Sequence, residues 1–236
     1  MDLVTTFRSA RRDPDVVVLE GFHACKHALR FGASPTRLVS PDPDTVLGLA
    51  GELAPDILER LETLIEPITA AVYEELAPRA HPTRLIGIAH RPPGADPLAA
   101  PGRVVVLERP RRPNNVGAAV RVAAAAGAGG LLVIDGTDPW GPEAVRTGAG
   151  LQFALAVGEA ESLADSGRPV VVFDAEGDPS PLLPDDAVVC FGSERSGVSR
   201  ELRDRADLVR AIPMRPGVSS LNLATAVAAA LYRAGS

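Results

Sequence analysis

Three short stretches of this 236-residue chain hold the side chains best suited to chemistry. The first is Arg111-Arg112-Pro113-Asn114-Asn115-Val116-Gly117-Ala118-Ala119-Val120-Arg121. Asn114 or Asn115 is expected to cap a helix here, and Gly117 to let another backbone or a ligand come close. Arg121 then falls between one and two helical turns after Asn115. The second is Cys190-Phe191-Gly192-Ser193-Glu194-Arg195-Ser196-Gly197-Val198, a buried strand running into a small-residue loop with one carboxylate. The C-terminal end of such a strand is where α/β sheets bind ligands. The third is Ile212-Pro213-Met214-Arg215-Pro216-Gly217-Val218-Ser219-Ser220-Leu221-Asn222-Leu223, leading into an alanine-rich helix. Ser219 or Ser220 is expected to cap that helix. Asn222 in its first turn is a poor helix former and needs another reason to be there. Each stretch alone also has a plainer account: a capped surface helix with a solvated arginine, an ordinary strand-to-helix turn, simple capping.

The elements that must position these residues alternate regularly. Apolar runs at residues 104–107, 131–134, 170–173 and 188–191 are short and nearly continuous, as suits parallel strands buried on both faces. Helix patterns cover 116–126, 142–147, 199–206 and 220–234, with Pro142 at a first-turn position. This is an α/β layer pattern. Residues 91–102, with four prolines and two glycines, read as a linker. Before it, residues 22–31 read as a helix ended by Gly32, and 37–40 and 84–89 as strands. Leu58, Leu61, Leu64 and Ile65 recur at helical spacing, as do Ile68, Val72 and Leu76.

Taken as a set, the three stretches resemble the signature motifs of the SpoU/TrmH methyltransferases of the SPOUT superfamily. The first resembles the family's Asn–Gly–Arg motif, the second its Gly–Ser–Glu–Gly loop, the third its Ile-Pro-Met…Ser-Leu-Asn helix start. Residues 138–146 resemble the connector between the first two, and the likeness covers 103–233. More loosely, the N-terminal part resembles a substrate-binding domain related to small RNA-binding ribosomal proteins, through Glu20-Gly21…Ala28-Leu29 and Val72-Tyr73-Glu74-Glu75-Leu76. Two residues depart from the pattern: Arg195, where the family often has glycine, and Gln152, where a small residue is more usual. Both bear on which substrate is bound rather than on the reaction.

The resemblance implies an α/β fold in two domains. Residues 1–97 would be a small α/β RNA substrate-binding domain with its linker. Residues 98–236 would be a methyltransferase domain with a deep trefoil knot at the C-terminal end of a parallel sheet. It implies S-adenosylmethionine as cofactor, held around Gly192, Ser193, Glu194, Ile212, Met214, Ser220 and Leu221. It implies methyl transfer to a ribose 2′-hydroxyl of RNA, with rRNA expected before tRNA, and a non-catalytic RNA-binding protein on the same fold as the other alternative. The catalytic set carried over is Asn115, Arg121, Glu194, Ser220 and Asn222. A guanidinium with a pKa above ~12 is a poor base. Arg121 is therefore expected to bind phosphate and stabilise the developing alkoxide, the others to orient it and the ribose. A homodimer is also implied, with Leu221, Val227, Leu231 and several alanines of the last helix at its interface.

Composition sets limits around this reading. The net charge is −6, so the chain lacks the general basic footprint of a nucleic-acid binder. Of its 24 basic residues only Lys26 is lysine, and the arginines cluster at 8, 11 and 12, at 109, 111 and 112, and at 195, 200, 203 and 205. Arginine suits bidentate phosphate contact. Two distant cysteines, Cys25 and Cys190, make neither a disulfide framework nor a zinc motif. His23 and His27 share a helix face without a third ligand, so no metal is expected. No complete G-x-G-x-x-G follows a strand, which argues against a dinucleotide-binding enzyme. No apolar run is long enough to span a bilayer, and the N-terminus lacks a basic region followed by an apolar one, so a cytoplasmic protein with no membrane partner is expected.

Overall fold

The computed structural model describes residues 2–77, 79, 81–218 and 220–234. They form two compact units, one of Met1–Pro93 with Ala149–Ala154, the other of Gly94–Gly148 with Leu155–Ser236.

The first unit has four strands, β1 (Val16–Glu20), β2 (Pro35–Ser40), β3 (Glu66–Pro67) and β4 (Ile86–His90), in the order β1-β4-β2-β3. β4 runs antiparallel to both neighbours, while β2 and β3 are parallel. Five helices surround this sheet: α1 (Leu3–Ala10), α2 (Phe22–Arg30), α3 (Pro43–Leu53), α4 (Leu58–Leu64) and α5 (Ala70–Leu76). Phe7, Tyr73 and Leu76 close over Val18, Ile86 and Ile88 to form one core. Four elements, α1, β1, α3 and β3, go beyond the sequence expectation. Two of them carry a cap signal that periodicity alone passes over: Asp2 and Asp42 accept the amides of Thr5 and Thr45. The two helical patterns, one ending at Ile65 and the other beginning at Ile68, correspond to the separate helices α4 and α5. Pro67 cannot continue a helix, and Glu66–Pro67 pairs beside β2 instead.

Residues 149–154 pack within this first unit. Gly150 lies so close to the Ala24 backbone that a Cβ would collide with it. His27 Nδ1 donates to the Ala149 carbonyl over 2.7 Å. Burial lowers the His27 pKa; that carbonyl opposes the shift, and the charges of Lys26, Arg30 and His23 add to it. Gln152, the unusual large residue of this segment, is fully buried.

The second unit is built on six parallel strands: β5 (Val104–Glu108), β6 (Gly130–Ile134), β7 (Ala156–Ala160), β8 (Val170–Asp178), β9 (Val188–Phe191) and β10 (Leu208–Arg210). Their order is β10-β8-β9-β5-β6-β7. β5, β6 and β9 are buried along their whole length, as suits their apolar runs; Glu108, which ends β5, is buried accepting the Ser199 amide. β7 and β10 lie outside the sequence expectation. One contains glycine and glutamate, and the other has three residues, too few to show a period. The order turns at β5 and β9: the chain moves from β5 towards β6 on one side, while β9 has β8 beyond it on the other. The crevice outside the C-terminal ends of two such strands is the usual ligand position in an open α/β sheet.

Four helices complete the unit: α6 (Pro113–Ala125), α7 (Pro142–Gly148), α8 (Arg200–Asp204) and α9 (Leu223–Arg233). Gly117 on α6 meets the Ala144 carbonyl of α7 and has no room for a Cβ, so it serves a backbone approach. The stretch read as a linker joins this unit for most of its length. Pro97–Ala99 forms a 3-10 turn with Leu98 buried. The Arg168 guanidinium donates to the carbonyls of Leu98, Ala100, Gly102 and Asp186. The proline-rich backbone cannot satisfy those carbonyls itself, and the arginine supplies the donors. Among the described residues no helix is long and apolar enough to cross a membrane, and no group of three His, Cys, Asp or Glu is arranged to hold a metal.

Candidate active site

The site is assembled by a chain of amide hydrogen bonds linking all three motif stretches. Asn222, expected in the first turn of the last helix, is that helix's N-cap. Its Oδ1 accepts the backbone amides of Ala224 and Thr225 at 3.0 and 3.4 Å. Of the two serines expected to cap, Ser220 does not do so and Ser219 lies outside the described residues. Backbone amides can only donate, so Asn222 must turn its Oδ1 inward and its Nδ2 away from the helix. That Nδ2 donates to Asn115 Oδ1 at 3.0 Å. Asn115 Nδ2 is then left to donate to Glu194 Oε1, at 2.6 Å. The polarity of the relay is therefore set at one end by a helix terminus and at the other by a carboxylate, which only accepts.

Asn115 is available for this relay because it does not cap its own helix. α6 starts at Pro113 with Arg112 at the cap position and no side-chain cap bond. Proline at the first helical position has no amide to satisfy and a φ already suited to a helix, so the expected capping by Asn114 or Asn115 is not needed. Asn114 instead accepts from the Thr147 hydroxyl. Burial raises the Glu194 pKa, but the Asn115 hydrogen bond, backbone amides including that of Arg111, and the charge of Arg112 outweigh it. The net shift is downward. Glu194 is thus a carboxylate at neutral pH.

Two cavities meet at this relay. One, of about 490 Å³, is walled by Phe173, Phe191, Ile212 and Leu223, with Asp174 and Glu194 as its carboxylates. Phe173 and Phe191 stack with centroids 5.1 Å apart, and Asp174 is held by Arg203 at 3.0 Å. Gly192, Ser193, Glu194, Ile212, Met214, Ser220 and Leu221, the whole cofactor set read from the sequence, line it. A Cβ on Gly192 would collide with the Gly197–Val198 backbone. The loop is pinned there by reciprocal hydrogen bonds between Ser193 and Gly197, each 3.0 Å. A flat heteroaromatic ring against phenyl groups, exposed loop backbone, and carboxylates for cationic centres are what S-adenosylmethionine requires, and the residues present fit it.

The second cavity, of about 450 Å³, holds Asn115, Glu194, Ser220 and Asn222 with Arg111 and Arg112. Glu194, Arg195, Ser220 and Leu221 form the wall shared by both cavities. Four of the five catalytic residues read from the sequence are therefore brought together. The fifth, Arg121, is exposed on α6 and lines neither cavity, and among the described residues its side chain makes no hydrogen bond. Val227 and Leu231, expected at a subunit interface, are buried within the single chain, where α9 packs on α6. The exposed apolar residues near that helix are Val218, Leu221 and Tyr232. Phe173, Asp174 and Ala175 also line the first cavity, outside the three motif stretches. Their signal was position alone, at the end of the 170–173 apolar run.

The family model described as the SpoU rRNA Methylase family matches residues 102–232. The chain is 29% identical to a 23S rRNA (adenosine(1067)-2'-O)-methyltransferase of Streptomyces laurentii, over 98% of this chain and 90% of that protein. It is 34% identical to a 23S rRNA (uridine(2479)-2'-O)-methyltransferase of Streptomyces viridochromogenes, over 55% of this chain and 51% of that one. The AdoMet-bound rRNA methyltransferase from Sinorhizobium meliloti is similar in structure, with 25% identity, a TM-score of 0.76, and coverage of 98% and 93%. The fold is shared with the SpoU methyltransferase AviRb from Streptomyces viridochromogenes in complex with AdoMet, at 22% identity, a TM-score of 0.77, and coverage of 99% and 97%.

Proposed function

The chain belongs to the SpoU rRNA Methylase family, and from that premise we propose that it methylates a ribose 2′-hydroxyl of ribosomal RNA using S-adenosylmethionine. The observation that carries the reading is the Asn222–Asn115–Glu194 relay set between an apolar, carboxylate-bearing cavity and an arginine-lined one. The first takes the cofactor and the second the ribose with its phosphates. Relatives whose names specify 23S rRNA support rRNA before tRNA.

S-adenosylmethionine, when bound, supplies an electrophilic methyl group on a sulfonium. The chain's own residues must align the hydroxyl and stabilise it as it loses its proton. Glu194 holds Asn115, and Asn115 with Ser220 on the shared wall presents an amide and a hydroxyl to the ribose. Such positioning is a large share of the barrier reduction in group transfer. Arg121 is assigned the phosphate and the developing alkoxide. Its exposed place on α6, outside both cavities of the single chain, favours a homodimer in which a second copy completes the surroundings of the site. Val218, Leu221 and Tyr232 are the apolar residues offered to that second copy. The first unit, Met1–Pro93 with Ala149–Ala154, is assigned to RNA binding, and the second to methyl transfer.

The test is methyl transfer from labelled S-adenosylmethionine to unmodified 23S rRNA and tRNA transcripts, with the product mapped by mass spectrometry. A ribose methyl at one 23S position is expected. Cofactor binding without transfer to either RNA would favour a non-catalytic RNA-binding protein. Light scattering should give about twice the 24.6 kDa chain mass.

A further inference from the structure

A third cavity opens at the same end of the six-stranded sheet. It measures about 450 Å³ and is lined by Arg109, Pro110 and Arg111 after β5 and by Asp135, Gly136 and Thr137 after β6. Arg111 also lines the cavity that contains Asn115 and Ser220, so the two are neighbours across one side chain.

The walls of this cavity are built by hydrogen bonds between the two loops. The Arg109 amide donates to the Ile134 carbonyl at 2.8 Å. Thr137 donates to the Pro110 carbonyl twice, from its amide at 3.1 Å and its hydroxyl at 3.0 Å. Gly136 lies so close to the Pro110 ring that a Cβ would collide with it. Arg109 and Asp135 both adopt left-handed backbone, with φ of 51° and 46°. Non-glycine residues held in that region cluster at ligand sites, where the surroundings over-determine them. Here both carry functional side chains, joined by one bond from Arg109 Nε to Asp135 Oδ2 at 3.2 Å, and both are more than half exposed. Among the described residues the terminal nitrogens of Arg109 make no hydrogen bond. A planar donor fork stands beside a carboxylate oxygen, at one remove from the ribose cavity.

We propose that this cavity is a second RNA subsite, holding the nucleotide next to the methylated one. Arg109 and Arg111 take its phosphate, and Asp135 accepts from an amino or hydroxyl group of the same nucleotide. A guanidinium fork matches phosphate oxygens in pairs, and a carboxylate selects a nucleobase or sugar that can donate. This rests on the assignment of the chain as an RNA methyltransferase.

The experiment uses the full chain with a 23S rRNA transcript as probe, comparing wild type with Arg109→Ala and Asp135→Asn. Arg109→Ala should raise the KM for RNA about tenfold with kcat within about twofold. It should also flatten the slope of log Kd against log salt by about one, the signature of one lost phosphate contact. Asp135→Asn should weaken RNA binding while leaving that salt slope unchanged. If Asp135 only repels the backbone, the same substitution tightens binding, and that result overturns the acceptor role. Calorimetric affinity for S-adenosylmethionine should be unchanged in both variants. A wild-type chain that transfers no methyl to RNA defeats the parent assignment and the subsite together. An active wild type matched by Arg109→Ala in KM and salt slope defeats the subsite alone.

Discussion

Arg103 and Arg168 stand at the N-terminal ends of β5 and β8, and Arg109, Arg111, Arg112 and Arg195 at the C-terminal ends of β5 and β9. The first pair donates to carbonyls on every side: Arg168 to four, Arg103 to those of Leu183 and Pro184 and to the Asp185 carboxylate. In the second group, among the described residues, only Arg109 makes a side-chain hydrogen bond. Arg103 and Arg168 thus tie irregular backbone together, while Arg109, Arg111, Arg112 and Arg195 are presented to solvent. An acidic chain can in this way present a locally positive surface where an anionic substrate arrives, since potential follows the local arrangement of charge and not the total. Arginine content alone says nothing about RNA binding here; what the donors already hold is the informative quantity.

The largest expected effect tests an arginine whose side chain makes no hydrogen bond among the described residues. Arg121→Ala should reduce single-turnover methyl transfer by ~100- to 1000-fold, or about 3–4 kcal/mol, while calorimetry shows nearly unchanged cofactor affinity. Arg121→Lys should rescue poorly, because an ammonium lacks the planar fork. Wild-type rates in Arg121→Ala would return that residue to the solvated surface of α6.

Next is an arginine of the structural kind. Arg168→Ala leaves four carbonyls without their charged donor and should lower the unfolding free energy by about 2–3 kcal/mol in urea titrations. Its folded fraction should turn over normally. Lost turnover with intact stability would break the comparison between the two ends.

The smallest effect concerns Glu194. Its folded pKa is lowered below the ordinary 4.5. A depressed carboxylate contributes stability that is fully present above the unfolded value and lost as pH falls through the folded one. The stability difference between wild type and Glu194→Gln should therefore stay flat from pH 7 to 5 and shrink only below about pH 4.5. A difference already shrinking between pH 7 and 5 would mean that burial outweighs the hydrogen bonds.

Much of the sheet was legible because β5, β6 and β9 are apolar on both faces, a pattern that depends on few partners. The relay was legible only as a list of residues. That Asn222 caps α9 while Asn115 caps nothing depends on where each helix starts, and those starts shift by a residue or two with tertiary packing. Val227 and Leu231 were apolar at helical spacing, yet spacing cannot say whether the apolar face meets the same chain or another. Arg111 and Arg112 stood beside Asn115 in sequence, but their share in the second cavity depends on loops from three strands closing together.

Residues 149–154 belong by packing to the first unit although the second lies on both sides of them in sequence. The first unit is therefore discontinuous in the gene. A single recombination crossover near residue 93 would transplant it without the turn that holds Ala149 and Gly150 against α2. Exchange of this unit between relatives needs two junctions in the second half of the chain besides the first, so it should be inherited as an interlaced pair rather than shuffled as a free module.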